Sequence, residues 1–177
     1  RGKLLHHNYV VALLNDLFGI QARGGCSCAG PYGHALLQID DATTECHARS
    51  VASGYSAFRP GWARLGVNWF FLDEDVDKIA AALAFIAARG LELLTYYRLD
   101  LCGGVWRAER PVNDSGPASL SDLWTLTPND TAVAPTFDTA LSEAHALADA
   151  APDQPCPAEV TMAPEEEALR WFWMPRE

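Results

Sequence analysis

Cys28 lies within Arg23-Gly24-Gly25-Cys26-Ser27-Cys28-Ala29-Gly30-Pro31, a glycine-rich stretch that follows a short apolar segment. A thiol on such a loop suits nucleophilic chemistry once its thiolate is stabilised, and Arg23 together with the backbone amides freed by the glycines supplies a means. A plainer reading stands beside it: a small side chain packed at a turn, since free cysteine is among the most buried residue types. Cys26 is then a structural neighbour or a second redox partner. Arg64 is the next candidate. On a strand face turned away from the core, its guanidinium can grip a carboxylate through two parallel hydrogen bonds, which is how an amino-acid substrate would be oriented. Asn68 shares that face by alternation. His34, just after Pro31-Tyr32-Gly33, is a candidate proton carrier because imidazole titrates near neutral pH; His6 and His7 read as structural or solvated.

These side chains need elements to hold them. Leu4, Leu5, Val10, Val11, Leu14, Leu17 and Phe18 recur at helical spacing and stop at Gly19, which predicts an amphipathic helix. Ile20 to Arg23 reads as a short strand entering the Gly-Gly loop, and Tyr32 to Ile39 as a short helix. A third helix is expected from Thr43 to Ser53, capped by Asp41 and closed by Gly54. After the turn Arg59-Pro60-Gly61, Trp62 to Phe71 alternates like a strand. Its apolar face is Ala63, Leu65, Val67, Trp69 and Phe71, and its other face carries Trp62, Arg64, Gly66, Asn68 and Phe70.

Asp73-Glu74-Asp75 supplies a cap and an acidic first turn for a helix whose buried stripe should be Val76, Ile79, Leu83 and Ile86, ending at Gly90. Extended pieces around Leu93–Leu99 and Val105–Ala108 are joined by a Cys102-Gly103-Gly104 turn. Arg110 to Asp130 is rich in Pro, Ser, Asp and Asn and marks a boundary or surface loop. Asp138 to Ala150 is helical with Asp138 as a cap, and Ala151 to Pro164 is again Pro-rich. The tail Ala168 to Met174 is too apolar to stay in solvent and should dock back. The expected fold is α+β: a small, largely antiparallel sheet with helices on one side over residues 1–109, and a loop-rich extension with one or two helices over 110–177.

Composition narrows the partners. With 23 acidic against 13 basic residues the chain of 177 residues carries a net charge of −10, so nucleic acid, which needs a basic stripe, is excluded. The apolar run Ile79 to Ala88 is far shorter than the ~20 residues that cross a bilayer, so a membrane partner is not expected. Five cysteines make an odd count, and Cys26 and Cys28 are too close in sequence for an unstrained disulfide, which favours a reduced, cytoplasmic setting. Zinc held by Cys26, Cys28, Cys46 and His47 would lack the usual paired Cys-x2-4-Cys spacing.

The Arg23–Pro31 run, followed by Pro60-Gly61-Trp62-Ala63-Arg64 and then by Asp73-Glu74-Asp75-Val76-Asp77, resembles the C-terminal small domain of class V aminotransferases, over about residues 4 to 95. These fold-type-I enzymes use pyridoxal 5'-phosphate (PLP) and include the cysteine desulfurases. The resemblance implies that Arg23, Gly25, Cys28 and Ala29 match the desulfurase loop Arg-x-Gly-x-x-Cys-Ala, with Cys28 the thiolate that accepts substrate sulfur. It further implies that Arg64 holds the substrate carboxylate. Some desulfurases have two histidines where this chain has Cys26-Ser27, and they end soon after the helix that here stops at Gly90. The cofactor of such enzymes is joined to a lysine well upstream of the small domain, and neither Lys3 nor Lys78 has the matching surroundings. The chain is therefore expected to be the C-terminal part of a longer, homodimeric protein, inactive without its PLP-binding domain. Two alternatives are transamination, with Cys28 only a loop residue, and a non-enzymatic metal- or redox-binding module.

Overall fold

The computed structural model describes residues 2–26, 28–109, 135–152 and 162–175. Its first helix, α1 (His7–Phe18), buries His7, Tyr9, Leu13 and Leu14. It ends as its sequence predicts: Gly19 takes φ 65° and returns its N–H to the carbonyls of Asn15 and Leu14, a left-handed stop that suits glycine. Leu4 and Leu5 lie outside this helix. Leu4 is drawn instead into a parallel bridge with Phe172.

Strand β1 (Arg23–Gly25) pairs antiparallel with β2 (Trp62–Arg64), in the register Arg23↔Arg64, Gly24↔Ala63 and Gly25↔Trp62. Between them come α2 (Gly30–Leu36), with Pro31 in its first turn, and α3 (Asp41–Ala52). The carboxylate of Asp40, not Asp41, caps α3 by accepting the Thr43 N–H at 2.7 Å. A long helix, α4 (Asp73–Arg89), leads through a 3-10 turn at Glu92–Tyr96 to the hairpin β3 (Tyr97–Asp100) and β4 (Val105–Ala108). Helices α5 (Phe137–Asp149) and α6 (Pro164–Leu169) follow. The fold is thus α+β with antiparallel pairing throughout its ladders, divided between two separate two-stranded sheets.

Several sequence expectations need correction. The strand expected at Ile20–Arg23 begins only at Arg23 and takes in both glycines. The strand expected over Trp62–Phe71 stops at Arg64, because β1 offers it only three residues to pair with. Beyond it the chain turns, with the Phe71 N–H on the Asn68 carbonyl at 3.1 Å, and Val67 and Trp69 are exposed instead of forming a core face. The buried stripe of α4 is also rotated: Ala82, Phe85 and Ile86 are covered, whereas Val76 and Leu83 are exposed. The α4 N-cap is Leu72, whose N–H is accepted by Asp75 at 3.1 Å, and Thr136 rather than Asp138 caps α5. The helix expected at Tyr32–Ile39 starts and ends earlier, and Gln38 turns left-handed at φ 52°. Of the segment expected at Leu93–Leu99, only the part from Tyr97 is strand.

The core joins Tyr9, Leu13 and Leu14 to Phe85, Ile86, Leu93, Trp106, Ala144, Ala148, Phe172 and Met174. Residues from both sides of position 110 therefore share one apolar interior. The tail docks as its composition predicts. The Leu4 N–H donates to the Trp171 carbonyl at 2.9 Å, the Trp173 N–H donates to the Leu4 carbonyl at 3.0 Å, and Phe172 is fully buried. Buried Arg170 stays satisfied by donating to the Phe172 carbonyl at 2.7 Å and to Glu167. The loop expected at Arg110–Asp130, the proline-rich run from position 153 to 161, Ser27 and Cys156 lie outside the described residues.

Phe172→Ala is expected to lower stability by about 3–5 kcal/mol, the range for emptying a buried aromatic site. A denaturant melt that left the midpoint unchanged would show that the tail is not part of the folding unit.

Candidate functional site

The β1–β2 ladder has two unlike faces. Gly24 and Ala63 turn toward α1, where a Cβ at Gly24 would lie 2.1 Å from Asn8 Oδ1 and 3.2 Å from His7 Nδ1. Only glycine admits so close an approach. The other face carries the pairs Arg23↔Arg64 and Gly25↔Trp62. Trp62 closes one end of it, lying where a Cβ on Gly33 of α2 would meet its ring at 2.5 Å and standing edge-on to Tyr32 at 6.2 Å. Arg64 is exposed beside exposed Arg23. The face expected for Arg64 from alternation along β2 is the face it occupies.

Cys28 follows β1 on the loop to α2. It is exposed and held at φ 60°, a left-handed conformation that costs a non-glycine residue roughly 1–2 kcal/mol. The Ala29 N–H closes this turn on the Cys26 carbonyl at 2.9 Å, and Cys26 itself is half-buried. Strain concentrated on an exposed thiol is the kind of feature found at functional loops. The structure therefore gathers Arg23, Arg64, Cys26 and Cys28 around one small ladder and its loop.

Asn68 and His34 do not join them in the expected way. Because β2 ends at Arg64, alternation no longer places Asn68, which is exposed in the turn region beyond the strand. His34 is half-buried on α2, with Nδ1 3.2 Å from Thr44 Oγ1, and so links α2 to α3. The residues weighed for zinc are dispersed in role. Cys46 Sγ accepts from Arg49 at 3.0 Å, and His47 Nε2 donates to the Leu169 carbonyl at 3.3 Å. No group of three or more His, Cys, Asp or Glu side chains suited to a metal occurs among the described residues. A cavity of about 580 Å³, lined in part by Lys3, Leu37, Asp40, Thr43, His47 and Trp171, includes none of the six sequence-predicted site residues.

The residues that sequence reasoning undervalued are His6, His7 and Asn8. His6 is 1% exposed; its Nδ1 accepts the Asn8 N–H at 3.1 Å and its Nε2 donates to the Ala57 carbonyl at 3.0 Å. Those two partners define a neutral ring with the proton on Nε2. Burial, with the neighbouring His7, lowers its pKa to about 3. His7 Nε2 lies 3.2 Å from the Arg59 carbonyl and Nδ1 lies 2.9 Å from Asn8 Oδ1, while Asn8 Nδ2 donates to the Gly104 carbonyl at 2.8 Å. Burial also holds His7 below the ordinary histidine value, against the pull of those two bonds. The available sequence signal was the position of three polar residues at the start of an apolar helical run, where a cap is required.

Lys3 pairs with Glu167 at 3.6 Å and lies over the Trp173 ring, and Lys78 pairs with Asp75 at 3.9 Å. No described helix is long and apolar enough to cross a membrane. By fold this is a small α+β protein with an arginine-flanked thiol loop. In comparison with known proteins, no family model, curated protein or solved structure matches the chain.

Two expectations follow from this geometry. Gly24→Ala should displace β1 from α1 and lower stability, by about 1–3 kcal/mol if Asn8 loses its buried bond; an unchanged melting midpoint would refute the close approach. The second concerns pH. His6, His7 and His47 all bind a proton less readily folded than unfolded. The unfolded chain takes up those protons below pH ~6.5, so stability should fall as pH drops below that value. Urea midpoints at pH 7.5, 6.5 and 5.5, above most carboxylate titration, should decline in that order, and His6→Gln should flatten the decline.

Proposed function

We propose that this chain supplies the substrate-facing part of a PLP-dependent active site acting on an amino acid, of the class V aminotransferase and cysteine desulfurase type. The observation that carries the reading is the exposed Cys28 thiol, strained at φ 60° on the loop that leaves β1, next to a ladder that sets Arg23 opposite Arg64. Arg64 binds and orients the substrate carboxylate, Arg23 lends positive charge to the same face, and Cys28 accepts a sulfur atom as a persulfide. PLP supplies the electron sink when bound. Lys3 and Lys78 are engaged in ion pairs, and neither is proposed as the residue that carries the group. The lysine that carries it belongs to the protein's own N-terminal PLP-binding domain, in a homodimer. A reducing cytoplasm suits the cysteines that stand free among the described residues, Cys26, Cys28, Cys46 and Cys102.

A second reading is transamination with Cys28 as a loop residue only. It draws on one observation: among the described residues, no hydrogen bond reaches the Cys28 sulfur.

The deciding experiment expresses the gene with any coding sequence upstream of Arg1, reduces the protein with borohydride, and searches its peptides for a lysine carrying reduced PLP. The proposal expects that lysine outside this chain and, with a thiol-bearing amino acid as substrate, a persulfide on Cys28 that Cys28→Ala abolishes. Transaminase activity that survives Cys28→Ala would favour the second reading. Absence of any PLP-bearing lysine would refute both.

A further inference from the structure

Arg23 and Arg64 stand directly opposite each other in an antiparallel ladder. Such partners project from the same face with Cβ atoms about 4.5–5.5 Å apart, and like charges so opposed repel. Both side chains are exposed, and among the described residues neither takes part in an ion pair or a hydrogen bond. In a chain with 23 acidic residues against 13 basic, an arginine pair without a carboxylate needs a reason.

The molecule contains its own control. Arg98 and Arg107 face each other across β3 and β4 in the same way, and there Arg98 Nε donates to Glu109 Oε1 at 3.0 Å. Among the described residues, one arginine pair is met by a carboxylate and the other is not. Space is also present at the second. The next pair on the arginine face is Gly25↔Trp62; the position above Gly25 is open for 4 Å, and Trp62 walls one end.

We infer that Arg23 and Arg64 form a two-point clamp for a ligand with two carboxylates, which makes the substrate class of this site an acidic amino acid. Each guanidinium is a planar fork that takes one carboxylate through two parallel hydrogen bonds. A ligand with a single carboxylate neutralises one fork and leaves its neighbour repelled; a second acidic group engages both. The inference rests on the reading of Arg64 as the carboxylate-binding residue and deepens it. A substrate whose side chain bears a thiol beside its carboxylate keeps Cys28 as the acceptor, whereas a plain dicarboxylic amino acid makes the reaction a transamination.

The test titrates the full chain with malonate, acetate and sulfate at constant ionic strength, following the arginine Nε–H signals by NMR and the melting midpoint. Malonate should bind about tenfold or more tightly than acetate or sulfate, as an added charge-assisted contact implies. Arg23→Gln and Arg64→Gln should each reduce malonate to the level of acetate, and Arg107→Gln should not. Arg23→Gln removes a repulsion, so its midpoint without anion should be no lower than wild type, which shows that it folds. Equal binding of malonate and acetate, or of malonate and sulfate, overturns the inference. If Arg64→Gln weakens malonate binding and Arg23→Gln does not, Arg64 keeps its carboxylate role and only the clamp falls; if neither variant changes it, both fall.

Discussion

Three consecutive polar side chains at the start of α1 hold the molecule's loops to its core. His6, His7 and Asn8 meet the carbonyls of Ala57, Arg59 and Gly104 at 3.0, 3.2 and 2.8 Å. Ala57 and Gly104 are buried, and a buried acceptor left unmet costs about 1–3 kcal/mol. The turn that launches β2, and hence the position of Arg64, is anchored by His7. The hairpin turn at Gly104 is anchored by Asn8, which also leaves no room for a side chain on Gly24 of β1. The polar end of one helix thus sets the placement of both arginine-bearing strands.

A ladder of two three-residue strands has no stability of its own. It persists because α1 backs one face and Trp62 packs against α2 on the other. This support is uneven in a way that suits a binding face. Arg23 and Arg64 are fixed by the ladder's register, while Cys28 sits beyond it on a strained turn. Aromatic side chains just past β2 add little to that support: Trp69 is 95% exposed and Phe70 61%.

Much of the helical framework was legible because helix signals are local. Apolar spacing and Gly19 located α1 and its end, the acidic run at Asp73 located the start of α4, and Cys102-Gly103-Gly104 located the β3–β4 turn. Strand extent was less legible, since alternation describes a tendency and pairing decides the outcome. Trp62–Phe71 alternates over ten positions, but β1 has only three residues to offer. The α4 stripe misled for a related reason: an alanine-rich helix has several faces of similar hydropathy, and packing selected Ala82, Phe85 and Ile86.

What the sequence by itself determined is the inventory and its local geometry: a cysteine on a glycine-rich loop, an arginine on the outward face of a short strand, helices with their caps, and a tail too apolar to remain in water. These follow from side-chain chemistry and from conformational preferences a few residues wide. Tertiary structure alone decided that Arg23 faces Arg64, that His6 and His7 are buried and held below the ordinary histidine pKa, and that Asn68 is released from the strand. Each of those outcomes depends on which distant segment fills the space beside a residue, and neither spacing nor propensity along the chain carries that information.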